Sequence, residues 1–146
     1  MQLNFVEIKA ESDFKYYESF AVNIMDPEDF VSADELREMI ANEEGKAWFV
    51  HVAAFSEPVA WCSISYNTIS EIPGSVHVLG IGVSANHAHQ GIGKSVLNWL
   101  IENNTTHVLT AAIKPENYSS SRLFKSAGFT NFGKQRAIPW DIWVKD

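Results

Sequence analysis

Three spacings of glycine and small polar residues fall within residues 80–95, and each has the composition of an anion cradle. Gly80-Ile81-Gly82-Val83-Ser84-Ala85 matches the relaxed dinucleotide pattern G-x-G-x-x-A. That pattern works only where a helix begins inside it, so that amides at the helix end face a pyrophosphate. Here Asn86-His87-Ala88-His89-Gln90 intervenes before any helical period starts, and the strand follows a hairpin instead of opening a β-α-β unit. Gly93-Lys94-Ser95 ends like a nucleotide P-loop, but the first glycine of G-x-x-x-x-G-K-[ST] would fall on Ala88, and no Asp-ended strand is apparent to hold magnesium. The third spacing, His89-Gln90-Gly91-Ile92-Gly93-Lys94, reads as a loop tightening into a helix N-terminus. Its glycines leave backbone amides unobstructed, and a helix end turns roughly half a positive charge toward an anion. A tight turn without a ligand accounts for the same glycines equally well.

Other reactive side chains are sparse. Cys62 is the only cysteine, so no intrachain disulfide or multi-cysteine zinc site exists, and within Ala60-Trp61-Cys62-Ser63-Ile64 it reads as a small core hydrophobe on a strand. His87-x-His89 lacks the further ligands a metal needs, so no metal is expected, and His51, His87 and His107 are read as ordinary structural histidines. The 146 residues carry 11 Lys plus Arg and 18 Asp plus Glu, a net charge of −7. With only Arg37, Arg122 and Arg136 as arginines, the chain lacks the cationic surface that nucleic-acid binding needs. The charge is also divided. Residues 1–44 hold 12 acidic and 3 basic side chains, whereas within 91–136 six cations face only Glu102 and Glu116. The N-terminus has no signal-peptide pattern and no apolar run reaches the ~18 residues of a membrane span, so a cytoplasmic protein without membrane contact is expected.

The elements that must position these residues follow from periodicity. Residues 2–9 read as a strand, and Phe14, Tyr17, Ala21 and Ile24 mark one face of a helix over 12–24. Ser32 with Glu35 forms a capping box that starts a second helix, ended by Gly45. Ala47–Phe55 and Val59–Tyr66 form a hairpin, and Val76–Val83 is a further strand. A helix opens at Gly91–Gly93 and stops near Asn103, Val108–Ile113 is a strand, and Asn117–Ala127 is a helix capped by Gly128. Phe132–Ala137 and Trp140–Val144 close the chain as strands around Pro139. The order predicts one α/β domain over 1–146: a mixed, partly antiparallel central sheet covered by helices on both faces.

Val83 through Gly93, together with Asn117-Tyr-Ser-Ser120-Ser-Arg-Leu-Phe124-Lys-Ser-Ala-Gly128-Phe129, resembles the GNAT superfamily of acyl-CoA-dependent N-acetyltransferases. The resemblance spans residues 76–129 and fits the element order. It implies that acetyl-CoA is the co-substrate, its pyrophosphate held by His89, Gln90, Gly91, Ile92, Gly93 and Lys94. It implies a pantetheine arm pairing with Ile81 and Val83, an amide near Ile81 on the thioester carbonyl, and further contacts from Asn117, Ser120, Phe124 and Lys125. In place of the family's usual Gln or Arg stands Ala88, and in place of a proton-donating Tyr stands Phe124, which leaves Tyr118 as a candidate acid. His77 occupies the position of a family glutamate and is the candidate base, with Glu71 next. The function implied is direct transfer of an acetyl group to a primary amine of a small molecule. Lys114-Pro115-Glu116-Asn117 resembles members that act on amino sugars. A protein or peptide amine, or a non-catalytic acyl-CoA-binding role, are the alternatives, in a monomer or homodimer.

Overall fold

The computed structural model describes residues 2–24, 31–66, 72–135 and 138–146. In chain order the elements are β1 (Leu3–Glu7), α1 (Glu11–Ile24), α2 (Ala33–Ala41), β2 (Gly45–Val52), β3 (Ala60–Ser65), β4 (Val76–Val83), a short 3-10 turn (Ala85–His87), α3 (Ile92–Glu102), β5 (Leu109–Ile113), α4 (Tyr118–Ser126), β6 (Thr130–Gln135) and β7 (Ile138–Lys145). The strands form one sheet in the order β1-β2-β3-β4-β5-β7-β6, antiparallel except for the central β4–β5 pair. The mixed sheet with helices on both faces is as expected.

Alternation along the strands sorts two cores. Ala60, Cys62 and Ile64 of β3, Val76 and Val78 of β4, and Leu109, Ala111 and Ile113 of β5 pack beneath α3 and α4 with Val96, Leu97, Leu100 and Phe124. Ala47, Phe49 and Trp61 turn the other way and meet Phe14, Tyr17 and Leu36 of α1 and α2. Burying each such large apolar side chain contributes about 1.5–3 kcal/mol. Ser32 caps α2 as its sequence implies, its Oγ accepting from Glu35 N–H at 3.1 Å. Tyr17 donates to the Val31 carbonyl at 2.6 Å and ties the two helices together.

Two local expectations need correction. Gly45 does not end α2, which stops at Ala41 with Asn42 as its cap, but begins β2, where a Cβ would overlap the Ile64 carbonyl and the Met39 sulfur. Pro139 does not separate two strands. It sits inside β7 ahead of Asp141, where pairing with β5 begins, so its missing N–H costs that ladder nothing.

The packing of α3 aims its N-terminus. Trp99, in its last turns, stacks on Phe5 at 3.9 Å and meets Trp48 edge-on at 5.1 Å, fixing that end over β1 and β2. The opposite end, at Gly91–Gly93, therefore lies toward the end of β4.

Candidate active site

β4 and β5 run together only briefly. They pair at Val76 with Leu109 and His77 with Thr110, after which β4 continues to Val83 against β3 while β5 continues to Ile113 against β7. A wedge opens between them. β4 also carries a bulge: Gly80 faces Ser63 and Val78 faces Ile64, so Leu79 is an extra residue. A bulge bends a strand and re-aims the residues beyond it.

The register assigns the polar groups along the wedge. Ser84 N–H donates to the Val59 carbonyl at 2.9 Å. Bonded pairs alternate along an antiparallel ladder, so Gly82 opposite Trp61 and Gly80 opposite Ser63 also turn their backbone groups to β3. Ile81 and Val83 then present theirs to the wedge. Their side chains pack toward the α3 and α4 core, whereas Gly80, half-buried, and Gly82, buried, put no side chain on the α1–α2 face of β4. Cα atoms of α1 come within 8 Å of β4 on that side.

At the end of the wedge the chain turns through Ala85–His87, and His89 and Gly91 take positive φ of 62° and 76°. Gly91 caps α3 in the left-handed conformation without a side-chain capping bond, so the first-turn amides of Ile92, Gly93 and Lys94 have no intrahelical acceptor. Ile92 is buried and anchors the turn, while His89, Gln90, Gly91 and Lys94 are exposed. Gly93 lies where β4 and α4 converge, its Cβ direction 3.8 Å from Val83 Cγ2 and 3.7 Å from Leu123 Cδ2. The third of the sequence spacings thus has the geometry of a helix-end anion site, and the first spacing forms the wedge-side strand.

Across the wedge, Asn117 caps α4, its Oδ1 accepting from Ser120 N–H at 3.2 Å, which leaves its NH2 group to donate elsewhere. Phe124 is buried edge-on to Phe129 at 5.0 Å. Lys125 and Tyr118 stand elsewhere. Successive helical residues differ by about 100°, so Lys125 cannot share the Phe124 side. With Tyr118, Ser121 and Arg122 it lines the outer flank of α4, against Trp143, while Leu123 on the opposite flank reaches toward Gly93. Tyr118 is 70% exposed on that flank. Helical spacing alone was enough to separate these two residues from Asn117 and Phe124.

His77 stands at the fork itself. It is 3% exposed, and its Nδ1 shares a hydrogen bond of 2.9 Å with Thr110 Oγ1, joining the last paired residues of β4 and β5. Burial lowers its pKa to about 4. Burial thus favours the neutral imidazole, which pins β4 to β5 through Thr110. The unfolded chain takes up this proton first, so stability is complete above pH 6.5 and falls as pH drops toward 4, by about 3 kcal/mol from this group. In His77→Gln, urea unfolding between pH 7 and 4 is expected to lose that part of the slope; an unchanged slope would contradict the assignment. Glu71 lies outside the described residues.

Cys62 is fully buried among apolar side chains and its thiol pKa is pushed up by that burial, which suits packing and not nucleophilic attack. Sequence reasoning missed the polar row on the α1–α2 face of β3, where Ser63 Oγ and Trp61 Nε1 are buried without partners among the described residues. Their alternation with Ala60, Cys62 and Ile64 was the available signal. Among the described residues, no group of three His, Cys, Asp or Glu side chains could hold a metal ion, and no helix is long and apolar enough to cross a membrane.

A profile of the acetyltransferase (GNAT) family matches residues 11–129. No curated protein matches the sequence. Among solved structures, the chain is similar to NAA60 of Arabidopsis thaliana in complex with a bisubstrate analogue, with 16% identity, coverage of 99% of this chain and 97% of that one, and a TM-score of 0.75. It is similar to the spermidine/spermine N-acetyltransferase SpeG of Vibrio cholerae, with 18% identity, coverage of 98% and 91%, and a TM-score of 0.70. It is also similar to the ribosomal-protein-S18-alanine N-acetyltransferase of Escherichia coli, with 14% identity, coverage of 98% and 91%, and a TM-score of 0.68. At these identities the likeness is one of fold.

Proposed function

Because the chain belongs to the acetyltransferase (GNAT) family, we propose that it transfers an acetyl group from acetyl-CoA to a primary amine of a small molecule, amino sugars being the first candidates. The observation that carries this reading is the opened β4–β5 pair, with Ile81 and Val83 turned to the wedge and unpaired helix-end amides at its mouth. Those groups fit a thin, polar arm ending in a diphosphate.

When bound, acetyl-CoA supplies the acetyl group already activated as a thioester. The amides of Gly91, Ile92, Gly93 and Lys94, in a loop flanked by His89 and Gln90, hold the diphosphate, where the helix end favours negative charge. Ile81 and Val83 pair with the pantetheine arm, and Asn117 donates from the other side, with Ser120 beside it. Ile81 N–H donates to the thioester carbonyl, a fixed dipole that acts most strongly as negative charge develops. Lys125, on the outer flank of α4, is left out of this set.

The amine approaches from the α1–α2 side, over the half-buried backbone of Gly80. The acidic residues 1–44 favour a cationic acceptor on that side. The acceptor ammonium must lose a proton before attack, and Glu71 is the base we assign. Phe124 offers no hydroxyl, so water protonates the departing thiolate. Cys62 is inert, so attack is direct, in a ternary complex.

Thiol release from acetyl-CoA, followed across amino-sugar nucleotides, spermidine and dipeptides with free N-termini, tests this reading. Release with a small amine, and an acetylated product by mass spectrometry, is expected. Release with peptides alone would move the acceptor to proteins, and tight acetyl-CoA binding without release by any amine would make the chain an acyl-CoA-binding module.

A further inference from the structure

We propose that the cleft between α1, the β2–β3 turn and the Ser84–Gln90 segment is a binding site for a small organic cation, an ammonium group carried on an apolar body. The cleft encloses about 520 Å³. Phe20 forms one wall, residues 55–58 form a second, and Ser84, Asn86, His87 and Gln90 form the third. Internal contacts fix these walls. Ser84 N–H donates to the Val59 carbonyl at 2.9 Å, Val59 N–H donates to the Val50 carbonyl at 2.8 Å, and the Phe55 ring meets His87 edge-on at 4.6 Å. On the α1 side Phe20 is held edge-on to Phe49 at 5.9 Å. A pre-formed, partly apolar cleft with a few polar groups is the usual form of a small-molecule site.

The charge on the lining has one sign. Glu57 is its only carboxylate, and neither lysine nor arginine lines it. Burial raises the Tyr16 phenol pKa and the Glu57 charge adds to the rise, so the field of that carboxylate reaches across to α1. Phe55 is 51% exposed, and a cation over such a ring is drawn to its π-face. Ser56, Ser84, Asn86 and Gln90 bring oxygens able to accept from an ammonium group. An anion meets the reverse, a carboxylate with no cation to offset it, so the diphosphate of acetyl-CoA is not expected here. Ser84 lies three residues past Ile81, about 10 Å along the chain, so a small amine in the cleft does not reach the thioester carbonyl assigned to Ile81. The cleft is separate from the path over Gly80.

Three probes of similar shape separate charge from fit: benzylammonium, benzyl alcohol and benzoate, each titrated into the whole chain while its backbone amide resonances are followed. Benzylammonium is expected to shift Phe55, Glu57, Ser84, Asn86 and His87 saturably, benzyl alcohol to bind about threefold more weakly or worse, and benzoate to leave them unmoved. Glu57→Gln, at an exposed turn position, should cost benzylammonium about threefold to fivefold in affinity and leave benzyl alcohol unchanged, at an unchanged thermal midpoint. Phe55→Leu, which keeps an apolar side chain, should cost it about twofold or more. The proposal is overturned if no probe shifts these residues, if benzylammonium shifts only the β4–β5 wedge, if the three probes bind alike, or if Glu57→Gln responds like the parent. None of these readouts involves acetyl-CoA or acetyl transfer, so the cleft stands or falls apart from the proposed reaction.

Discussion

Gly93→Glu is expected to weaken acetyl-CoA binding by roughly 100-fold or more, while Gly93→Ala binds within a few-fold of the parent chain. The contrast arises from where the residue sits. A Cβ at Gly93 would rest 3.7 Å from Leu123 and 3.8 Å from Val83, ordinary contact distances that alanine meets without strain. A longer side chain must extend from that junction into the mouth of the wedge. A carboxylate placed about 5 Å from a phosphate, at an effective dielectric constant near 20, costs about 3 kcal/mol, or about two powers of ten in affinity. Gly93 lies within α3 and is not among the positive-φ glycines, so the variant should fold. Calorimetry of both variants with acetyl-CoA checks this, and equal affinity for Gly93→Glu would remove the diphosphate from this loop.

The second large effect concerns turnover. Ile81→Pro deletes the one amide assigned to the thioester carbonyl, and kcat should fall by about 10²–10³, the usual consequence of losing such a donor. Proline is acceptable at this position because the Ile81 N–H faces the wedge and not β3, and Gly80 before it minimises the steric restriction. Gly82→Pro is the informative contrast, since Gly82 belongs to the pairs bonded to β3 and its loss should unfold the strand. A kcat for Ile81→Pro equal to that of the parent, in a chain with an unchanged thermal midpoint, would show that this amide does not polarise the carbonyl.

Much of this arrangement was legible in the sequence because it rests on local rules. The Val76–Val83 strand has its expected bounds, Ser32 and Glu35 cap α2, and Gly128 takes the left-handed conformation that ends α4, at φ 98°. The features that escaped the sequence depend on partners far along the chain. The bulge at Leu79 exists only against Ser63 and Ile64, and the widening of β4 from β5 only against β3 and β7. The alternation Val76-His77-Val78 turns His77 away from the α3 core, but its burial also requires the packing on the other face of the sheet, which no local pattern encodes. The same limit hid the placement of Trp143 against the outer flank of α4, where β7 returns beside β5 after the helix has been formed.

The central claim is that acetyl-CoA lies in the β4–β5 wedge with its diphosphate on the end of α3, and backbone amide resonances during a titration test it most directly. Saturable perturbation at one equivalent is predicted for Ile81, Val83, Ile92, Gly93 and Lys94, with much smaller changes at Gly80 and Gly82, whose backbone groups are spent on β3. Perturbation confined to the cavity lined by Phe55, Glu57 and His87, on the β2–β3 side of the glycine loop, would contradict it, as would no perturbation at all.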